Sequence, residues 1–280
     1  MNNVAFEFGI VQVYWYSIFV LLAIITGWIL IKRELKKREY SEDFQTDLFF
    51  NTIFISLIGA RIYYILFHLG YYVSNPLSIV QVWNGGLAIH GGLLFGFLAI
   101  LYTCRKYKVK LVEILDIIVV GLIIGQAIGR WGNFFNGEAF GIITTAEHLR
   151  SLFVPGFVID GMYIMGSYWH PTFFYEFIAN VIGFILLLVL RNSFKKDKVN
   201  RTGKLFGFYL IWYSVIRFFI EALRIDSLMI GPLRMAQVIS IVMFIIGLYF
   251  VFIYKEKEEE IPKKRTATNR KKKKKKKKKK

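Results

Sequence analysis

At 280 residues, 55% of them hydrophobic and with a mean hydropathy of +0.46, the chain is too apolar for an ordinary soluble domain and reads as a multi-span membrane protein. Its formal charge of +18 would suit a nucleic-acid binder. Much of that charge lies in the run Lys271 to Lys280, however, and the rest sits between apolar segments, so it reports topology and no nucleic-acid partner is expected. One cysteine, Cys104, excludes an intramolecular disulfide, and the four histidines lack close metal-ligand spacing, so neither a structural metal nor a cofactor is expected.

Seven segments approach the roughly 20 apolar residues that a bilayer crossing needs. They lie near 11–31, 46–68, 87–104, 111–130, 171–190, 204–222 and 234–254. No basic n-region or small-residue cleavage site precedes the first, which is expected to remain as a helix. Basic residues crowd alternate connections: Lys32 to Arg38, then Arg105 to Lys110, then Arg191 to Lys204. Those loops are assigned to the cytoplasm. The predicted fold is therefore all-α and polytopic, with about seven transmembrane helices, the N-terminus outside, the C-terminus cytoplasmic and a small extracytoplasmic cap. Residues 1–254 form the transmembrane domain. Residues 255–280 form a charged tail that is not expected to fold by itself, and its lysines would suit anionic inner-leaflet lipids.

Along the chain, Tyr14, Trp15 and Tyr16 fit an interfacial aromatic belt. Arg61 sits far enough into the second span that its charge costs on the order of 3 kcal/mol at a helix centre, so it either faces the protein interior or snorkels to the headgroups. The connection Gly70 to Asn84 carries no charge and should lie along the outer surface. Glycine pairs flank His90, leaving room for a ligand or for close helix packing, while Cys104 reads as packing. Asp116 is about 21 Å along its helix from Arg130, too far to pair with it, and is expected to cap or pair near the cytoplasmic side.

The fourth span leads into Gly129-Arg130-Trp131-Gly132-Asn133-Phe134-Phe135-Asn136-Gly137-Glu138-Ala139-Phe140-Gly141. Arg130, Asn133, Asn136 and Glu138 thus gather where hydrocarbon meets water. A guanidinium is a planar fork of donors suited to phosphate oxygens, and asparagine can donate or accept towards hydroxyls and ester carbonyls. A phospholipid headgroup would satisfy this set. A helix end with glycine stops and an anchoring arginine would look similar. The segment 142–170 should form the cap, with a short hairpin around Asp160-Gly161. His170-Pro171 opens the fifth span, as proline in a first helical turn allows. In the sixth, Tyr213, Arg217, Glu221 and Arg224 follow at spacings of four, four and three, one stripe within about 80°. Arg217 and Glu221 can pair, and Arg224 then leaves positive charge over for an anionic ligand. Arg234 and Gln237 mark the outer start of the seventh span.

The run Gly129 to Gly141 resembles the signature of prolipoprotein diacylglyceryl transferases at Gly129, Arg130, Gly132, Asn133, Phe134, Asn136, Glu138 and Gly141. Also similar to that family are Trp15-Tyr16, Gly59-Ala60-Arg61, His90-Gly91-Gly92, His170-Pro171 through Tyr175-Glu176 and the stripe from Tyr213 to Arg224. Family members often carry prolines between the aspartate and the signature arginine. Here Asp116 to Gly129 has none, so a straighter helix is expected. The resemblance implies transfer of the diacylglyceryl group of phosphatidylglycerol to the lipobox cysteine of a prolipoprotein, in a cell membrane, with the catalytic site towards the outer face. It implies catalytic roles for His90, Arg130 and Arg217, and substrate contacts from Arg130, Asn133, Asn136, Glu138, Gly141, Tyr16, Arg61, Tyr213, Glu221 and Arg224. The implied partners are phosphatidylglycerol, the signal-peptide and lipobox region of the precursor, and membrane lipids. An anion transporter or an enzyme-free lipid-binding scaffold would use similar arginines, although no internal repeat supports the former.

Overall fold

Long apolar helices dominate the computed structural model, which describes residues 3–8, 11–193 and 202–256. The basic positions Lys195, Lys196, Lys198 and Arg201, and the tail from 257 onward, lie outside the described residues. By internal contacts the chain divides into two units, one made of Met1–Glu34 with Val112–Lys255, the other of Leu35–Leu111 with Glu256–Lys280.

The first unit begins with a hairpin, β1 (Val4–Phe8) and β2 (Val11–Tyr14), followed by α1 (Trp15–Lys37). The first span therefore starts at Trp15, four residues later than expected, because Val11-Gln12-Val13-Tyr14 alternates with the period of a strand. Next comes α5 (Leu111–Asn136), a single helix that continues through the first two-thirds of the glycine-rich run. The cap holds β3 (Ile143–Thr144), α6 (Ala146–Ser151), α7 (Gly156–Gly161), β4 (Tyr163–Ile164) and β5 (Ser167–Trp169), its strands ordered β3-β5-β4. Then follow α8 (Thr172–Ser193), α9 (Lys204–Leu223), the hairpin β6 (Met229–Ile230) and β7 (Leu233–Arg234), and α10 (Met235–Leu248) with a π turn to Ile253.

The cap hairpin forms one turn later than its sequence signal suggested. Asp160-Gly161 closes α7, and the turn falls at Met165-Gly166, both with positive φ (52° and 81°), the backbone that matches the twist of paired strands.

Helix α5 is the hub, with half of its apolar window buried against 6% for α1 and 11% for α10. Val119, Val120 and Ile123 of α5 close a core with Leu187 of α8 and Leu205, Tyr209 and Leu210 of α9. Bare backbone lets helices approach closely here. A Cβ on Gly121 would lie 2.5 Å from the Gly27 carbonyl, and one on Gly207 2.8 Å from that of Gly247. Asp116 caps α9 from another helix, accepting hydrogen bonds from the backbone nitrogens of Gly203 (2.7 Å) and Phe206 (2.8 Å).

The second unit holds α2 (Glu42–Phe67), α3 (Leu69–Ser74), two short 3-10 turns (Pro76–Ile79 and Val82–Asn84) and α4 (Ile89–Tyr107). Ser41 caps α2, its hydroxyl accepting from the Phe44 nitrogen. Helices α2 and α4 run antiparallel: Asp47 meets Lys106 at 2.7 Å, Asn51 meets Thr103 at 3.1 Å, and Gly59 lies against Gly91.

Six helices are long and apolar enough to cross a membrane among the described residues: α1, α2, α5, α8, α9 and α10 with its π turn. The remaining expected span, 87–104, is present as the 19-residue α4 but is not among the six. Its ends dilute its hydropathy, with His90-Gly91-Gly92 at one and Arg105-Lys106 at the other.

Candidate active site

Four helix ends of the first unit meet around a carboxylate. Helix α5 brings Arg130 near its C-terminus, α8 brings Glu176 in its second turn, α9 brings Arg217 and Glu221, and β7 leads Arg234 into α10. Glu176 is 2% exposed and takes a guanidinium on each oxygen: Arg130 Nη2 on Oε2, and Arg217 Nη1 on Oε1 at 2.7 Å. Arg217 Nη2 reaches Glu221 Oε2 at 2.5 Å. Arg234 donates to the backbone carbonyl of Glu221 and, at 3.2 Å, to that of Arg224.

A buried ion costs several kcal/mol of lost hydration, so this chain of charges persists only because each member is paired. Its arrangement is one-sided. The Glu176 and Glu221 side chains are 3% and 2% exposed, while those of Arg130 and Arg217 keep 21% and 16%. The acids are sealed behind the arginines, and the accessible face is cationic.

The glycine-rich run positions its polar groups by ending α5. Gly132 stays helical, and a Cβ there would come 2.9 Å from the Tyr16 ring. Trp15 stacks on Phe135 at 5.1 Å, which fixes the start of α1 against the end of α5 and sets Tyr16 within electrostatic reach of Glu138 and Arg130. Gly137, with φ of 64°, stops the helix in the left-handed region that glycine enters without strain. Asn133 links the two ends of the run: Arg130 Nη1 donates to its Oδ1 at 3.4 Å, and its Nδ2 donates to Glu138 Oε1 at 2.9 Å. Asn136 is exposed as the last residue of α5. Gly141 bridges to Arg224 and donates to the His170 carbonyl at 2.8 Å. A Cβ at Gly141 would meet the His170 Cβ at 2.9 Å.

Behind the run, the cap core of Phe134, Leu149, Val158, Ile159 and Phe173 holds the segment down. His170 Nδ1 and the Tyr175 hydroxyl lie 2.9 Å apart, and burial, then the nearby His148, hold the His170 pKa below its ordinary value.

The expected stripe on α9 is realised as far as Glu221. Tyr213 stacks on Tyr209 at 5.9 Å and Arg217 pairs with Glu221. Arg224 departs from it, because α9 ends at Leu223 and Arg224 is extended (φ −76°, ψ 143°). Its guanidinium turns to Asp226 through two hydrogen bonds of 2.8 and 2.6 Å, so Arg224 is not the surplus charge that its spacing suggested. Of the paired cluster, the Arg130 and Arg217 side chains are the accessible part.

Arg61 and His90 belong to the second unit. Arg61 faces inward, 7% exposed, and holds the 3-10 connection through backbone carbonyls: Nε to Ile79 (2.9 Å), Nη1 to Gly85 (2.7 Å) and Gly86 (2.9 Å), Nη2 to Ser78 and Gln81 (3.4 Å). Its guanidinium carbon also lies 5.3 Å from the centre of the Tyr72 ring. His90 is exposed in the first turn of α4, its ring 6.2 Å from that of Tyr63.

The role of Glu176 as the hub between two arginines escaped the reading of the sequence, where it figured only within the polar start of a span. The available signal was an acid five residues into an apolar run, which demands a cationic partner.

Membrane-length helices define a multi-pass membrane protein, with an arginine–carboxylate cluster gathered at one set of helix ends. The sequence matches the family described as Prolipoprotein diacylglyceryl transferase over residues 3–253. It is 44% identical over 257 residues to the phosphatidylglycerol–prolipoprotein diacylglyceryl transferase of Bacillus cereus (strain G9842), covering 91% of this chain and 93% of that protein. It is 44% identical over 251 residues to the protein of the same name from Lysinibacillus sphaericus (strain C3-41), covering 89% and 90%. With the one from Staphylococcus xylosus the identity is 41% over 258 residues, covering 92% and 91%. The chain belongs to the prolipoprotein diacylglyceryl transferase family, and is a membrane transferase.

Proposed function

We propose that this transferase moves the diacylglyceryl group of phosphatidylglycerol onto the thiol of a prolipoprotein's lipobox cysteine, and that the Arg130–Glu176–Arg217 cluster holds the lipid phosphate during transfer. The observation that carries this is the convergence of two part-exposed guanidinium groups on one sealed carboxylate. In the reaction a carbon–sulfur bond forms at the lipid glycerol carbon, the carbon–oxygen bond to phosphate breaks, and glycerol phosphate leaves with the electron pair. The thiol proton passes to a base.

Each part of that step has a residue suited to it. Negative charge grows on the departing phosphate, and preoriented guanidinium donors in a water-poor site stabilise it as it forms. Glu176 and Glu221 fix the direction of those donors, so little reorganisation is needed. Asn133, Asn136, Glu138, Gly141, Tyr16, Tyr213 and Arg224 would orient the headgroup, Glu138 accepting from a glycerol hydroxyl. A free thiol near pKa 8.5 is mostly protonated at neutral pH, and the same cationic face favours its thiolate. His90 is the candidate base. The basic connections favour an N-terminus and a site towards the outer face of a bacterial plasma membrane, where the signal-peptide and lipobox region of the precursor would arrive.

Membrane vesicles carrying the protein, incubated with phosphatidylglycerol and a lipobox peptide, should yield a thioether-linked lipopeptide. Arg130→Ala and Arg217→Ala should abolish it with the protein still inserted. Near-normal turnover in either would remove that arginine from the phosphate site, and persistent turnover in His90→Asn would remove His90 as the base.

A further inference from the structure

One turn deeper in α5 than Arg130 lies Gln126, a polar residue among apolar neighbours. Residues four apart share a helix face. The Gln126 amide nitrogen donates to the Tyr209 hydroxyl at 3.0 Å, and the buried Tyr209 is itself within electrostatic reach of Arg130. Two atoms in this patch are shut off from solvent with no hydrogen-bond partner among the described residues: Gln126 Oε1 and Arg130 Nε. Unsatisfied buried polar atoms cost about 1–3 kcal/mol each, so two on neighbouring turns of one helix point to a ligand group.

Resting on the phosphate assignment above, we propose that Gln126, fixed by Tyr209, and Arg130 Nε form a subsite for an ester carbonyl of the diacylglycerol moiety. The depth selects the group. Gln126 is about 6 Å further from the helix end than Arg130. In a diacyl lipid anchored there by its phosphate, the ester linkages lie at that level, the headgroup alcohol lies outward, and only hydrocarbon lies deeper. The chemistry agrees. A half-turn of the amide lets the Tyr209 hydroxyl donate to Gln126 Oε1 and frees the amide N–H, so that Gln126 and Arg130 Nε both present donors to an acceptor-only carbonyl. Gln126 is then a positioning residue, setting the depth at which the glycerol carbon meets sulfur.

The test is competitive binding of diester and diether phosphatidylglycerol, matched in chain length, to the full-length protein in nanodiscs, with transfer assayed separately. The wild type should prefer the diester about tenfold, the factor set by one net hydrogen bond of about 1.4 kcal/mol. Gln126→Leu should bring that ratio close to one, and Tyr209→Phe should lower it in the same direction. Gln126→Met, nearer in shape, serves if the leucine variant fails to insert. A wild type indifferent to the linkage, or a variant that binds both lipids more weakly at an unchanged ratio, would overturn the subsite. Failure of the wild type to transfer from the diester would instead overturn the reading of the phosphate site.

Discussion

Arginines on apolar helices differ between the two units. Arg61 directs its guanidinium at five backbone carbonyls of one connection, so its donors are consumed by the fold. Arg130 and Arg217 share one carboxylate, keep 21% and 16% of their side chains accessible, and leave Arg130 Nε without a hydrogen-bond partner among the described residues. The difference lies in what neutralises the charge. Carbonyl dipoles wrapped around a guanidinium satisfy it without a counter-ion and leave nothing for a ligand. An acid on one side compensates the charge and leaves part of the guanidinium side chain accessible. What sets the proposed phosphate-holding arginines apart from the structural one is therefore the identity and side of their acceptors.

Removing the acid from the second arrangement should have the largest effect. Glu176→Gln keeps the side-chain shape but leaves Arg130 and Arg217 close together without their shared counter-charge. Breaking a buried pair in this way costs about 3–5 kcal/mol. Thermal unfolding of the detergent-solubilised protein should show a lowered midpoint, and transfer should fall as both guanidiniums lose direction. An unchanged midpoint would mean that the acid does not hold the arginines.

The first arrangement should break more locally. Arg61→Ala would leave the carbonyls of Ser78, Ile79, Gln81, Gly85 and Gly86 without their shared donor. Hydrogen bonds to a charged group contribute about 1.5–3 kcal/mol each and share one side chain, so a loss of about 3 kcal/mol is expected. Amide exchange should accelerate across Ser78–Gly86 and stay unchanged at Arg217–Glu221. Arg61→Lys should rescue little, because a single ammonium cannot span acceptors that a planar fork reaches together. Equal acceleration in both regions would erase the distinction between the arginines.

Much of this was legible in the sequence, and what was not has a common physical cause. Hydropathy and length located the helices because membrane crossing is a property of a continuous segment. The glycine-rich run and the pair Arg217–Glu221 were visible because their members are neighbours in sequence or on one helix face. Glu176 between Arg130 and Arg217, the Gln126–Tyr209 contact, and Asp116 on the backbone of Gly203 and Phe206 all join different helices, and residue spacing carries no information about those meetings. Periodicity also misled beyond its domain. Arg224 is in phase with the α9 stripe, yet the helix stops one residue earlier, and the arginine turns to Asp226.

That pair is a third kind of arginine site and should give the smallest effect. The Asp226 side chain is 47% exposed, so solvent screens the interaction to within about 1 kcal/mol. Hydrogen bonds from Arg224 hold the Asp226 pKa below the ordinary carboxylate value of 3.8. Because the folded value is the lower one, the stabilisation is fully present above pH 3.8 and is lost as pH falls through the folded value. Between pH 8 and 5 the pair should therefore contribute no change in stability. Below pH 3.8 the wild type should lose part of its margin over Asp226→Asn, measured as the difference between their unfolding midpoints. Among the described residues Arg61 has only neutral hydrogen-bond acceptors, so the corresponding margin over Arg61→Ala should owe nothing to the titration of a partner. A margin over Asp226→Asn that shrank already between pH 8 and 5 would show that Arg224 does not hold the carboxylate, and the separation of the three arginine environments would lose its weakest member.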